Sequence, residues 1–482
     1  MGFRWNPQFS SEWAAHKPPP IWFFLVLYLV VEGVALAVVV PGLPKAGSVP
    51  WDRFIHDAAV AVPFFCWTGL SCFVWLLAYD TPARQAAAHN TARWHEIASW
   101  QRQSRAGMAV LDSVILTPEP DLAERMLKLE GSPPENPGKV MRLASVEGAD
   151  TALRERAMFE QLLAPLAARL ALAAKSGSFE IVIQCGRAES SLDLQAVWEQ
   201  TGLPGKPRIR WIGNDRDPGF AEDWFNGNEH GAYRAYLTDR TAKYRLVLAW
   251  HLNDENADVK PGASEAAVAL LSGSPALMQA KPEQKCQAWL LRQIVADADE
   301  ADKALALLLD SEQVLRTRIR HFWHSRLKGL AQHATLGAVK ESGLKVDEHE
   351  LDPAIGPQAP VARWVLQALA AKMAHFGQGA QLIALPHEQG IALNVVAKEP
   401  DRVAVPWKKE YEYNPILGPD LGVCASIWGG VMLLSPGGWS TPDTVITWVI
   451  AVAMVVLFVL RHSWLVAPAA ESIADYVASW IG

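Results

Sequence analysis

Cys185 is the first residue whose type and setting could do chemistry. It follows the apolar run FEIVIQ (179–184) and precedes GlyArgAlaGluSerSer. A thiol there could act as a nucleophile if it stood at a helix start, where the dipole lowers its pKa. The default for a cysteine at a strand end is burial in the core, so Cys185 is only a fallback catalytic residue. His321 and His324 come next, three apart in HisPheTrpHisSerArg, a spacing that would put both on one helical face as metal ligands sometimes are. No Cys pair or Glu-x-x-His accompanies them. Arg316, Arg318, Arg320, Arg326 and Lys328 would repel a cation, so a solvated basic helix face is the preferred reading and no metal is expected. Glu32 is a carboxylate alone in an apolar run; such groups often carry protons, but with no partnering charge in the other runs a helix–helix hydrogen bond or a protonated passenger is preferred. The sequence has no Gly-x-Ser-x-Gly, no phosphate-binding Gly-Lys-Ser/Thr loop, no dinucleotide fingerprint and no Cys-x-x-Cys, so no cofactor is expected. By its reactive residues the chain describes a scaffold or binding protein.

The elements that must carry these residues are of two kinds. Residues 21–41 hold one charge in about the length that crosses a hydrocarbon core of roughly 30 Å. A second apolar run covers 55–79, with a kink expected at Pro63; a short Gly-rich run (421–434) and a strongly apolar one (445–460) follow near the other end. For 421–434 the competing reading is a buried hairpin on the soluble domain. Basic residues flank the runs at Arg4, Lys17, Arg84, Arg93, Lys408, Lys409 and Arg461, against Lys45 and Arg53 in the first hairpin loop. Because Lys and Arg stay on the cytoplasmic side, this predicts an inner-membrane protein of bacterial type with both termini and the soluble body in the cytoplasm.

Between these runs, 81–103 reads as a juxtamembrane helix. Strands are predicted at 108–116, 179–184, 208–212, 244–250 and 263–271, with an Ala/Leu-rich helix at 151–175. A charged helical region is predicted over 282–332, interrupted near Ala298, then an amphipathic helix over 361–376 and a hairpin of 381–385 and 391–396. The expected domains are 1–80, a transmembrane hairpin; 81–104, the juxtamembrane helix; 105–400, an α/β body; and 401–482, a second transmembrane hairpin and tail. The charge of −7 with no basic run argues against nucleic acid, and 21 Trp in a half-hydrophobic chain suits a membrane-attached globular protein. Five cysteines, three of them in apolar runs, argue for a reducing compartment.

The strand text AlaSerGluAlaAlaValAlaLeuLeu, then LeuAspProAlaIleGlyProGlnAlaPro opening the helix from Val361 and the closing hairpin, resemble the thiolase-like fold. That resemblance implies two βα halves of related topology around a five-layered core, here degenerate. The Ser/Ala text that surrounds a thiolase nucleophile is absent around Cys185, and Gly356-Pro357-Gln358 offers no His or Asn. The segment 351–397, with the strands TyrArgLeuValLeuAlaTrp and GluAlaAlaValAlaLeuLeu, also resembles the type VI lipase adaptor family of the bacterial contractile secretion system. This implies a membrane-anchored, non-enzymatic adaptor or chaperone that binds a toxic effector, a lipase, and presents it to the secretion spike protein. Its partners would be the effector, the spike protein and the lipid bilayer, with a homo-oligomer possible. The alternatives are an acyl-transferring enzyme acting near the bilayer, or a structural membrane component. Trp211, Trp224, Phe225 and Tyr233, in the loop-rich stretch 205–243, are the candidate protein-binding residues, since Trp and Tyr anchors dominate interface energies; coverage of the core is the competing role.

Overall fold

A computed structural model describes residues 3–14, 16–40, 60–148, 150–214, 242–254, 262–388, 390–412, 418–434, 440–452 and 456. The chain forms two compact units: Met1–Pro7 with Ser99–Val403, and Gln8–Ala98 with Ala404–Gly482. The helices used below are, in chain order, α1 (Ile21–Val39), α2 (Val62–Trp75), α3 (Thr81–Ser104), α4 (Thr151–Leu163), α5 (Ala167–Lys175), α6 (Ser190–Gln200), α7 (Ala301–Asp310), α8 (Gly329–Glu341), α9 (Ala362–His375), α10 (Gly418–Leu434) and α11 (Thr441–Val452). The strands are β1 (Gly107–Leu116), β2 (Phe179–Gln184), β3 (Arg208–Ile212), β4 (Tyr244–His251), β5 (Ala266–Gly273), β6 (Ala288–Leu291), β7 (Ile294–Asp297), β8 (Ile319–His324), β9 (Asp347–Glu350), β10 (Ala380–His387) and β11 (Gly390–Ala397).

In the first unit all the strands belong to one mixed sheet, ordered β3-β2-β4-β5-β1-β6-β11-β10-β8-β9, with β7 also on β11. The order repeats. In the first half β2 pairs in parallel with β3 and β4, β4 antiparallel with β5, and β5 antiparallel with β1. In the second half β8 pairs in parallel with β9 and β10, β10 antiparallel with β11, and β11 antiparallel with β6 and β7. An antiparallel pairing of β1 with β6 joins the halves. These are the two halves of related topology that the thiolase-like resemblance implied.

Three apolar cores account for the layers. Helices α4, α5 and α6 cover the outer face of the first half, where Phe159, Leu163, Leu170 and Trp198 pack on β2, β4 and β5. Helices α7 and α8 cover the outer face of the second half. The helix α9 lies between, packed on β1, β5, β6, β10 and β11, and its core draws Val182 and Val247 from one half with Trp323 and Ile383 from the other. Helix α9 was expected to be amphipathic, yet Trp364, Val365, Leu366, Ala368, Leu369, Ala370 and Ala371 are all buried, because a helix between two half-sheets has no solvent face. Strands β2, β4 and β5 are buried along almost their whole length, which is why they read as continuous apolar runs.

The charged helical region expected over 282–332 is not one. It contains β6, β7, α7, β8 and the start of α8. Its dense charges lie in the connections and on exposed positions such as Arg320, while the short apolar runs AWLL and HFWH are too brief to show a strand period. The helix expected over 151–175 is broken by a 3-10 turn at Ala164–Leu166, where Pro165 has no N–H to donate.

Three described stretches are long and apolar enough to cross a membrane: Ile21–Val38, a window within Val62–Ser104, and Thr151–Lys175. The last is α4–α5, whose Leu162, Leu163, Leu166 and Leu170 are buried in the first unit. In the second unit α2 continues through a π-helical turn, Leu76–Asp80, into α3, with Asp80 buried and paired to Arg84 at 3.2 Å. Pro63 stands in the first turn of α2, after Val60 and Ala61 in a π-helical turn; residues 55–59, the start of the run in which its kink is expected, lie outside the described residues. Trp67 donates its indole N–H to the carbonyl of Phe24 at 2.8 Å, tying α1 to α2. Helix α10 packs on α2 through small residues: a side chain at Gly422 would strike Cys72, one at Gly429 would strike Phe65, and Ser426 faces Gly69. The competing reading of 421–434 as a hairpin laid on the soluble domain is therefore replaced by a helix packed on α2. Beside α3, Asn90 exchanges hydrogen bonds with the backbone of Trp13, Trp94 donates to the carbonyl of Val405, and Lys408 pairs with Glu12 at 2.7 Å.

Candidate functional site

Strand β2 ends at Gln184, and the chain leaves it through Cys185, Gly186 and Arg187 before α6 begins at Ser190. The Cys185 thiol is buried, and its sulfur donates to the carbonyl of Arg187 at 2.9 Å. The carboxylate of Glu155 lies beside it, accepting from Arg187 Nη2 at 2.8 Å, Ser190 Oγ at 3.0 Å and Trp250 Nε1 at 3.4 Å. Burial pushes the Cys185 thiol above the usual range, and the negative charge of Glu155 acts in the same direction. A nucleophilic thiol needs the reverse, a positive field that favours thiolate. The hydroxyl of Ser190, the first residue of α6, donates to that same carboxylate, so a negative charge stands beside both the thiol and the helix start.

Around Cys185 the contacts are structural. Gln184 accepts from the indole of Trp364 at 2.6 Å, so the first residue pair of the site spans the two halves through α9. Trp211 donates its indole N–H to the carbonyl of Cys185 at 3.2 Å while 44% of the residue stays exposed on the edge strand β3. Trp224, Phe225 and Tyr233 lie outside the described residues.

His321 and His324 are on β8, not on a helix, and both are buried. On a strand a spacing of three turns them to opposite faces, so the shared face expected from helical spacing does not exist. His324 bonds Glu348 at 3.0 Å. His321 Nδ1 meets Nε2 of His349, on the adjacent β9, at 3.0 Å, and the His349 ring lies against Trp323. Burial lowers both pKa values, and for His349 burial and the neighbouring His321 bring it to about 4. One ring must then donate and the other, which has to be neutral, accept. Among the described residues no group of three His, Cys, Asp or Glu side chains is arranged to hold a metal ion.

The sequence reading missed the most heavily bonded group. Glu265, fully buried at the start of β5, takes a two-pronged contact from Arg154, 2.9 and 2.7 Å, and accepts from the backbone N–H of Leu143 at 2.8 Å and of Asn253 at 2.9 Å. Burial alone would raise its pKa, but these hydrogen bonds outweigh burial and hold it below the usual carboxylate range. Next to it Ser264 forms a parallel bridge to Gln358, and its backbone N–H bonds Pro357 at 2.7 Å. Gly356 has φ of 77° and leaves no room for a side chain against the carbonyl of Lys139, so the loop before α4 and the turn before α9 close on each other only with glycine there. A charged residue inside AlaSerGluAlaAlaValAlaLeuLeu was the one available signal, since a carboxylate in a buried strand needs a partner.

No protein-family model matches the sequence, and no curated protein matches it. Among solved structures the chain is similar to a type II polyketide ketosynthase described with its acyl-carrier protein, at 14% identity over 61% of this chain and 99% of that one, with a TM-score of 0.41. It is similar to the ketosynthase domain OzmH KS8 of Streptomyces albus JA3453, at 15% identity over 63% and 100%, TM-score 0.40. It is also similar to the peroxisomal 3-ketoacyl-CoA thiolase of Saccharomyces cerevisiae, described as five-layered and built from two core domains of identical topology, at 9% identity over 61% and 97%, TM-score 0.38. With TM-scores this low the likenesses decide neither fold nor chemistry. The description of the fold rests on the repeated strand order.

Proposed function

We propose that this chain is a non-enzymatic binding protein held in a bacterial inner membrane by two helical hairpins, an adaptor or chaperone of a type VI secretion system that holds an effector, a lipase, for the spike protein. The observation that carries the non-enzymatic part is the setting of Cys185: a buried thiol, raised in pKa, held on the Arg187 carbonyl beside the Glu155 carboxylate. The type VI role rests on the sequence resemblance over 351–397 and the two upstream strands. Trp211, with Trp224, Phe225 and Tyr233, is the proposed effector-binding set, and the exposure of Trp211 at a sheet edge supports it. The membrane arrangement is supported by the packing of residues 8–13, the first part of α3 and residues 404–411 on one another, which puts the approaches to α1 and α10 on the same side as the exit from α2. The basic residues flanking these segments make that side the cytoplasmic one.

The test is affinity purification of the tagged full chain in mild detergent, with mass spectrometry of what co-purifies. A lipase effector and a spike protein are the expected companions. Their absence from a folded preparation ends the adaptor reading. Replacing Trp224 and Phe225 together by Ala should weaken capture by roughly 2–4 kcal/mol while the body stays folded.

A further inference from the structure

The first residues of the chain belong to the α/β unit although nearly a hundred residues separate them from its first strand. Their side chains alternate: Phe3, Trp5 and Pro7 are half-buried, Arg4 and Asn6 exposed. That is the period of an extended segment laid on a surface with every second side chain in a recess. The floor under Phe3 is Arg292, a fully buried residue whose guanidinium carbon lies 4.4 Å from the ring centroid. Trp100 forms a wall, stacked on Phe3 at 6.4 Å with ring planes 17° apart, and donates its indole N–H to the carbonyl of Arg4 at 3.0 Å. Trp5 packs edge-on to Phe3 at 5.1 Å and against the outer core of the second half. Arg292 is fixed from behind, its N–H on the carbonyl of Ala106 at 2.8 Å and its own carbonyl taking the Gln313 amide at 2.9 Å.

We infer that the α/β unit carries a recess for an extended aromatic-x-aromatic peptide, built on Arg292 and Trp100, and that the N-terminal Phe3-Arg4-Trp5 is its occupant in cis, a clasp that can be released and replaced. The recognition is in three parts: a cation under one ring, a single backbone hydrogen bond between the rings, and an apolar seat for the second ring. Such contacts are individually modest, and tethering supplies an effective concentration in the millimolar range that a free peptide must match. The site needs no residue of the Cys185 region and stands whether or not the adaptor reading holds.

The experiment uses the full chain in lipid nanodiscs, with Phe3→Ala and Trp5→Ala combined, and follows backbone hydrogen exchange. Exchange at Ser104, Ala106, Leu291 and Arg292 is expected to quicken by about tenfold or more, while β2 and β10 keep their protection. Excess synthetic peptide with the sequence of residues 1–7 should restore the lost protection. A scrambled peptide should not, and Arg292→Leu in the same background should abolish the rescue. Exchange unchanged by the double substitution would show that nothing is seated there and overturn the proposal. Loss of protection throughout the body would make the segment integral core rather than a releasable occupant, and failure of the peptide to restore protection in a folded variant would remove the recess itself.

Discussion

The two halves of the sheet share one strand order and differ in how they use the end of the second strand. In the first half the strand runs into Cys185 and two ion pairs, the buried Glu265 with Arg154 and the buried Glu155 carboxylate with the half-exposed Arg187. In the second it ends at His324, with His321 bonded to His349 and the Asp352 carboxylate accepting from Ser325 and the backbone of Arg326 at 2.7 and 2.9 Å. The same architecture therefore tolerates carboxylate–arginine pairs in one half and, in the other, a histidine pair beside a carboxylate served by a hydroxyl and a backbone N–H. What the fold requires at that place is satisfied polar groups, not a particular chemistry.

The sharpest way to break the comparison is Glu265→Ala, which leaves the buried Arg154 guanidinium without its carboxylate and with only carbonyl acceptors such as those of Val146 and Asn253. A loss of about 3–5 kcal/mol in denaturant unfolding is expected. The pair also gives the first half its own pH signature. Because the folded Glu265 pKa lies below the ordinary value of 4.5, the stabilisation is complete above that pH and is lost as the pH falls through the folded pKa. Unfolding measured from pH 7 to 3 should show this acid loss in the natural chain and lack it in Glu265→Gln.

The second half should respond in a higher window. The pKa of His349 falls from 6.5 in the unfolded chain to about 4 in the fold, so the unfolded state takes up a proton first as the pH drops. Stability is full above 6.5, declines between there and 4, and levels off below, by roughly 3 kcal/mol in all. His349→Phe should flatten that stretch of the pH profile without touching the Glu265 window. A profile unchanged by the substitution would mean that the His321–His349 contact is not held in the neutral state.

Trp364→Phe tests the bond that links the halves. It removes the indole donor to the buried Gln184 amide, with an expected cost of about 1–3 kcal/mol in the same unfolding assay. The smallest effect belongs to Cys185→Ala, about 1 kcal/mol or less, with effector capture unchanged. Iodoacetamide should modify Cys185 more slowly at neutral pH than a free thiol of pKa near 8.5. Fast modification coupled to loss of activity would return the first half to the enzyme reading.

Much of this was written in single segments of sequence. The runs FEIVIQ and YRLVLAW read as buried strands, Gly377 and Gly379 between a helix and two short apolar runs marked the α9-β10-β11 order, and α1, apolar but for Glu32, announced itself by length. Local pattern suffices in the strands because burial on both faces leaves a nearly continuous apolar run, in which Glu180 and Arg245 stand only as a buried pair. It failed at HisPheTrpHisSerArg, where six residues fit a strand and a helix equally and only pairing with β9 and β10 chose between them. Nor could one segment reveal that Arg154 would meet Glu265, 111 positions away, or that Trp364 would meet Gln184 across 180. Those contacts depend on the repeated strand order bringing distant chain into register. The reactivity of Cys185 followed the same rule: its residue type was legible in the sequence, but whether its thiol met a positive field or the Glu155 carboxylate was decided by which helix the fold laid beside it.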